Sequence, residues 1–156
     1  MKTNYETLVD LVVKAEVDGK PRHELVLEVC ATSQRLLDVG FPDLRIVIKA
    51  KTIGKIFFDH GLTQGQIERI PAMLEAPQAI YTSASHSESV VVFTYESNAG
   101  SPIIIPVARD RQVGRGPLVN EVTSMYGKTG PDPRPRWRAE GLLLWESIGP
   151  KQKGPA

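Results

Sequence analysis

The feature that most constrains this chain is a change of hydrophobic period at Gln78. Before it, the stretch KTIGKIFFDHGLTQGQIERIPAMLEAP sets Ile53, Ile56 and Phe57 at the three-and-four spacing of an amphipathic helix. After it, QAIYTS, SVVVFTYES, PIIIPVARD and PLVNEVTSMYG are short, β-branched-rich segments divided by SASHSE, NAG and RDRQVGRG, the punctuation of a meandering antiparallel sheet. The apolar run LLLW adds an edge strand. Helices first and strands afterwards predict an α+β fold, with N-terminal helices packed on one face of a four- or five-stranded antiparallel sheet.

The helical stretch carries its own internal punctuation. Gly61 ends the first helix in a left-handed turn, and Thr63 with Gln66 has the spacing of a capping box for the next. Leu62 and Ile67 have the spacing of a hydrophobic staple around that same cap. His60 is thereby pinned at a sharp junction between two helices. Pro71 breaks the second helix or starts a further turn, and Pro77 closes the unit.

Upstream the pattern is less decisive. LVVKAEV and ELVLEVC flank Asp18-Gly19 and Pro21 and suit two strands joined by a hairpin, while a helix through Tyr5, Leu8, Val9 and Val12 competes for the first of them. Thr32 is placed to cap a short helix carrying Leu36 and Leu37, stopped by Gly40 and Pro42. LRIVIKA sets Leu44, Ile46 and Ile48 on one face of a strand, opposite Arg45 and Lys49. At 156 residues the chain is long enough for one domain with its own core. That domain is expected over residues 1–150, with 1–24 as an N-terminal extension and a frayed tail at 151–156.

Several chemistries have no foothold. The one cysteine, Cys30, excludes an intramolecular disulfide and a thiolate-rich zinc site. GxGxxG, Walker-type, HExxH and GxSxG patterns are missing, which removes dinucleotide binding, NTP hydrolysis, zinc proteolysis and serine-hydrolase chemistry. No apolar run nears the roughly 20 residues that span a bilayer, and the start MKTNYETLVD has acids where a signal peptide needs an apolar stretch. A soluble protein with a cytoplasmic site of action is expected.

Charge is unevenly placed. Seven bases and three acids fall between Arg109 and Arg138, although the net charge of the whole chain is only +1. Such asymmetry fits a local anionic partner or, equally, an ordinary solvated loop. Within this region KTGPDPRPRWR carries Pro131, Pro133 and Pro135 and is expected to hold Arg134, Arg136 and Arg138 semi-extended, as neither strand nor helix. Trp137 either stacks on a base or packs against the sheet.

Among candidate catalytic groups His60 leads, because an imidazole fixed between helix ends can exchange a proton near neutrality; the plain alternative is a side chain that fills the turn. Lys55 stands four residues before Asp59, the spacing of a surface ion pair, and five before His60, from where it can bind a phosphate as a point charge; Lys51 is the fallback. Strand alternation puts Thr123 and Met125 on one face and Ser124 and Tyr126 on the other, so that Ser124 and Tyr126 can bond one phosphate or ribose. His23 and His86 read as exposed loop residues.

Taken together, KTIGKIFFDHGLT, IPAMLEAPQAIY, VVVFTYESNAGSPIIIPV, VNEVTSMYGK and the LLLW strand resemble a phage and mobile-element ribonuclease family. It is the phage branch of the barnase, EndoU, colicin and RelE-like fold, found as the carboxyl-terminal domain of MuF-type phage proteins and in polymorphic toxins. The likeness runs from about Leu25 to Trp145. It implies metal-independent RNA cleavage without a cofactor, and it carries the catalytic positions onto Lys55, His60, Thr123, Ser124 and Tyr126. A second motif histidine like that of the EndoU branch is missing, which leaves Tyr126 or Lys55 as the general acid.

The expected mechanism is attack of a ribose 2′-hydroxyl on the adjacent phosphorus, with His60 as base and Lys55 facing the developing charge. Lys51, Lys128, Arg134, Arg136 and Arg138 would hold the flanking RNA backbone. An immunity or antitoxin protein is the expected partner of such a toxin, whether phage-delivered or secreted as an effector. The alternative is a phage or mobile-element module of the same fold that binds RNA or protein without cutting.

Overall fold

A computed structural model describes residues 1–148; the expected tail at 151–156 lies outside them. The chain opens with helix α1 (Asn4–Val17), which starts at a capping box between Thr3 and Glu6 and buries Tyr5, Val9, Val12 and Val13 along one stripe. The helix thus prevails over the competing hairpin, and Gly19, at φ +74°, turns the chain away after it. Strand β1 (Val26–Ala31) and strand β2 (Arg45–Lys49) pair antiparallel, joined through the short helix α2 (Gln34–Asp38). Ser33, not Thr32, is the N-cap of α2. The Thr32 hydroxyl is engaged elsewhere: it donates to the Leu44 carbonyl and accepts from Asn120.

Helices α3 (Ala50–Phe58), α4 (Gln64–Glu68) and α5 (Ile70–Glu75) follow at once. The expected punctuation is present: Gly61 sits at φ +69°, the Thr63–Gln66 capping box is closed in both directions, and Pro71 stands in the first turn of α5. Then come β3 (Ala79–Thr82), β4 (Ser89–Asn98), β5 (Ser101–Arg111), β6 (Val119–Val122), β7 (Tyr126–Gly127), helix α6 (Arg134–Ala139) and β8 (Leu143–Glu146).

The fold is α+β, but the sheet is larger than the expected four or five antiparallel strands. Eight strands run in the order β1-β2-β6-β5-β4-β3-β8, with β7 pairing β5 off that path. The sheet is also mixed, because β2 lies parallel to β6, pairing Ile46 with Asn120 and Ile48 with Val122. The early β1 and β2 thus extend the later meander past β6. LLLW does form an edge strand, β8, on β3.

Two cores flank the sheet. On one face Ile46, Ile48, Ile80, Val92, Ile103 and Ile105 pack with the apolar sides of α1 to α5. On the other, Tyr81, Val91, Phe93 and Ile104 pack with Trp137 of α6. The sheet therefore has a helix on each face, contrary to the one-sided packing expected. The segment around Arg134 is correspondingly a helix and not a semi-extended loop. Its prolines read as breakers, yet Pro133 occupies the N-cap and Pro135 the first turn, where a missing N–H costs nothing. Trp137 is buried, with its ring 5.3 Å from that of Tyr81, so it packs against the sheet.

Candidate active site

His60 is held where the α3–α4 junction meets the chain just after β6. Its Nδ1 lies 2.9 Å from the Met125 carbonyl oxygen, and its ring meets the Tyr126 ring edge-on at a centroid distance of 5.6 Å. A carbonyl only accepts, so Nδ1 is the protonated nitrogen. In the neutral ring this leaves Nε2 as the basic one. The junction is tied by its main chain, with Asp59 and His60 both donating their backbone N–H to the Lys55 carbonyl at 2.8 and 3.1 Å. Leu62 and Ile67 are buried on either side of the Thr63 cap.

The segment PLVNEVTSMYG, expected as one short strand, is broken: β6 ends at Val122 and β7 begins at Tyr126. The break changes which side chains meet. Met125 turns into the helix-side core, while Thr123, Ser124 and Tyr126 all line one cavity of about 420 Å³ on the opposite face, so the division of Thr123 from Ser124 and Tyr126 does not hold. Burial raises the Tyr126 phenol above its ordinary pKa and makes it a reluctant proton donor. His60 touches Tyr126 but is not among the cavity's lining residues, and neither is Lys55. Lys55 and Lys51 are exposed on α3, and among the described residues Lys55 forms no ion pair with Asp59.

The two basic residues of the cavity, His86 and Arg111, were not among the candidate site residues read from the sequence. His86 is exposed, as expected of a loop histidine, yet it stands in the cavity wall with Nδ1 3.0 Å from the Ser85 hydroxyl. Arg111 stands in the same wall through a β-bulge. Ala108 pairs with Glu121 and Arg111 with Val119, so β5 spends one residue more than β6 between those pairs. Strict alternation from Ala108 would aim Arg111 at the helices, and the extra residue turns it to the outer face. Asp110, inside the bulge, takes φ +55°, and its N–H is received by the Asn120 side chain at 3.3 Å. Nothing in RDRQ announces this, because the signal lies in the partner strand.

Arg111 is anchored from behind by Glu121, which is only 3% exposed. Its Nε lies 3.6 Å from Glu121 Oε1, and Lys49 Nζ lies 3.7 Å from Oε2. Glu121 Oε1 has no hydrogen-bond donor. A buried carboxylate with so little direct hydrogen bonding depends on its two cations.

The remaining candidate RNA contacts lie apart. Arg134 and Arg138 line a different cavity of about 540 Å³, together with Tyr81, Asp132 and Glu146, while Lys128 and Arg136 border a third of about 170 Å³. These arginines carry internal partners. Arg134 makes a two-pronged pair with Asp132, its atoms 2.8 to 3.1 Å apart, and lies over the Phe93 ring at 4.6 Å. Arg138 grips Glu146 at 2.6 and 3.2 Å, and Arg136 approaches Glu140 at 4.0 Å. The Arg134 guanidinium accordingly holds the Asp132 carboxyl below its usual range. The basic excess read along the sequence is thus largely neutralised within α6 and its surroundings.

Among the described residues, no group of three or more His, Cys, Asp or Glu side chains is arranged to hold a metal ion, and no helix is long and apolar enough to cross a membrane. No curated protein and no solved structure matches the chain. Residues 55–149 match the model of the phage MuF C-terminal domain. That segment takes in more than half of the chain, including His60, the strand break and the bulge, and the chain belongs to the phage MuF C-terminal domain family.

Proposed function

We propose that this phage domain is a metal-independent endoribonuclease of the barnase-like kind, with His60 as general base. The observation that carries the reading is the His60 Nδ1–H bond to the Met125 carbonyl, which reserves Nε2 for proton abstraction beside a break lined with hydroxyls. In this mechanism Nε2 takes the proton of a ribose 2′-hydroxyl and the freed oxygen attacks the neighbouring phosphorus. The P–O5′ bond breaks, leaving a 2′,3′-cyclic phosphate and a 5′-hydroxyl. Thr123, Ser124 and Tyr126 orient the phosphate, and Lys55 and Lys51 add positive charge from α3. A toxin of this kind acts in the cytoplasm and needs an immunity or antitoxin partner able to cover the strand break.

The test is a gel assay of wild type and His60→Ala on total RNA, and on an oligonucleotide whose target ribose is 2′-deoxy. Cleavage by wild type alone, and only of the ribose form, is expected. Identical patterns from both proteins, or cutting of the 2′-deoxy substrate, overturns it. The second reading, a module that binds RNA or protein without cutting, is favoured by the internal pairing of Arg134, Arg136 and Arg138. It predicts salt-sensitive RNA binding with no product, or protein binding indifferent to salt.

A further inference from the structure

The cavity at the strand break has a property that the larger one lacks. Arg111, His86, Ser85, Thr123, Ser124 and Tyr126 all face it, and no carboxylate is among its lining residues. Asp132 and Glu146, by contrast, line the cavity that holds Arg134 and Arg138. A pocket walled by a guanidinium, an imidazole and hydroxyls, with no acid to repel an anion, is built for the oxygens of a phosphate. Its size, about 420 Å³, also leaves room for part of a sugar.

The two cationic groups are supported from outside the cavity. Glu121 meets Arg111 at Nε, so the terminal guanidinium nitrogens remain for a ligand. Ser85 occupies Nδ1 of His86, so the nitrogen available to a ligand is Nε2. The charged and titratable groups on the elements that meet the His86 loop are Arg111 and Tyr126 in the cavity wall, Glu121 behind Arg111, Glu88 on the loop itself, and Arg109, whose N–H bonds the Glu88 carbonyl at 3.2 Å.

We infer that this cavity binds a phosphodiester, with Arg111 and His86 as its cationic walls, and that His86 is the group that protonates the departing 5′-oxygen. The second part rests on the ribonuclease reading above and requires the ribose to reach from the cavity past Tyr126 to His60, whose ring touches that of Tyr126 but does not line the cavity. Protons balance: as His60 Nε2 gains the 2′-hydroxyl proton, His86 Nε2 gives its proton to O5′ while the P–O5′ bond breaks, so His86 ends neutral and His60 charged. The half-buried Tyr126 phenol is relieved of the acid role and left to orient the phosphate.

The experiment uses the full chain and has two arms. In the first, the histidine rings are titrated by NMR with and without inorganic phosphate. A bound anion favours the imidazolium, so the midpoint of His86 rises by about half a pH unit or more while that of His23 stays in place. Arg111→Lys, chosen because it keeps a cation against Glu121, reduces that response severalfold. An unmoved His86, or an equal response in Arg111→Lys, overturns the phosphate site.

The second arm compares His86→Gln and His60→Ala on ordinary RNA and on a uridine 3′-phosphodiester with a p-nitrophenolate leaving group, which departs without a proton. His86→Gln slows ordinary RNA cleavage by about 100-fold and leaves the activated ester near the wild-type rate, whereas His60→Ala slows both. Equal losses on the two substrates, or no loss on RNA, overturn the donor role. If wild type cuts no RNA yet phosphate still shifts His86, the ribonuclease reading and the donor role fall together and the phosphate site stands.

Discussion

Asn120→Ala tests how the outer-face site is held. Asn120 is fully buried, and its amide joins three separate segments. Nδ2 donates to Thr32 Oγ1 at 2.8 Å and to the Pro42 carbonyl at 3.1 Å, while Oδ1 receives the Asp110 N–H at 3.3 Å. Truncation leaves the Asp110 N–H without its acceptor; the Pro42 carbonyl keeps the Leu44 N–H at 2.9 Å and Thr32 still donates to Leu44, so each of these loses one incoming bond. At about 1 kcal/mol or a little more for each bond lost inside the protein, the cost is about 3 kcal/mol. Since m-values in urea are about 1–3 kcal/mol/M, the unfolding midpoint should fall by roughly 1.5 M with m unchanged. The assay is urea denaturation followed by circular dichroism, with Thr32→Val and the double variant alongside. Because Asn120 and Thr32 share one bond, the cycle should show coupling of about 1 kcal/mol. The same substitution releases the bulge that aims Arg111, so phosphate binding should weaken even where the variant is fully folded. A midpoint drop under about 0.3 M, or zero coupling, would refute the reasoning.

Two further predictions concern other buried groups. Tyr5 Oη donates to the Ile67 carbonyl at 2.8 Å across the α1–α4 contact, so Tyr5→Phe should destabilise by about 1–1.5 kcal/mol in the same denaturation assay; a neutral result would mean that water takes over the carbonyl. Burial pushes the Cys30 thiol up from 9.0 to about 11. Its raised value means that the unfolded chain ionises first, so this group's contribution to stability is complete below pH 9 and declines towards pH 11. At pH 8 the folded thiol should react with iodoacetamide about tenfold or more slowly than in urea, the scarcer thiolate being partly offset by its greater nucleophilicity. Equal rates would place the thiolate within easy reach of solvent.

What could be read from the sequence was what neighbouring residues decide. The α3–Gly61–α4 corner depends on a left-handed glycine and a cap three residues wide, and both are spelled out in GLTQGQ. Pro71 acts one turn from where it stands. The parallel pairing of β2 with β6 joins segments more than 70 residues apart, and no local pattern in LRIVIKA names its partner. The bulge before Arg111 was invisible for the same reason, being a mismatch between two strands. Helix α6 was misread because proline's effect depends on position: three in a row of alternating residues look extended until one finds them at a helix start. His60 could be singled out from its junction, whereas His86 shows its place only when the loop folds over the broken strand.

The parallel junction also bears on where this domain can be cut. The family segment opens at Lys55, inside α3, yet the sheet continues through β6 into strands contributed by residues 26–49. An excised 55–149 fragment would leave one side of β6 with bare main-chain amides and carbonyls, and would strip Asn120 of Thr32 and Pro42 and Glu121 of Lys49. Such a fragment should stick to itself rather than stay dispersed, so the smallest workable unit includes the opening fifty residues.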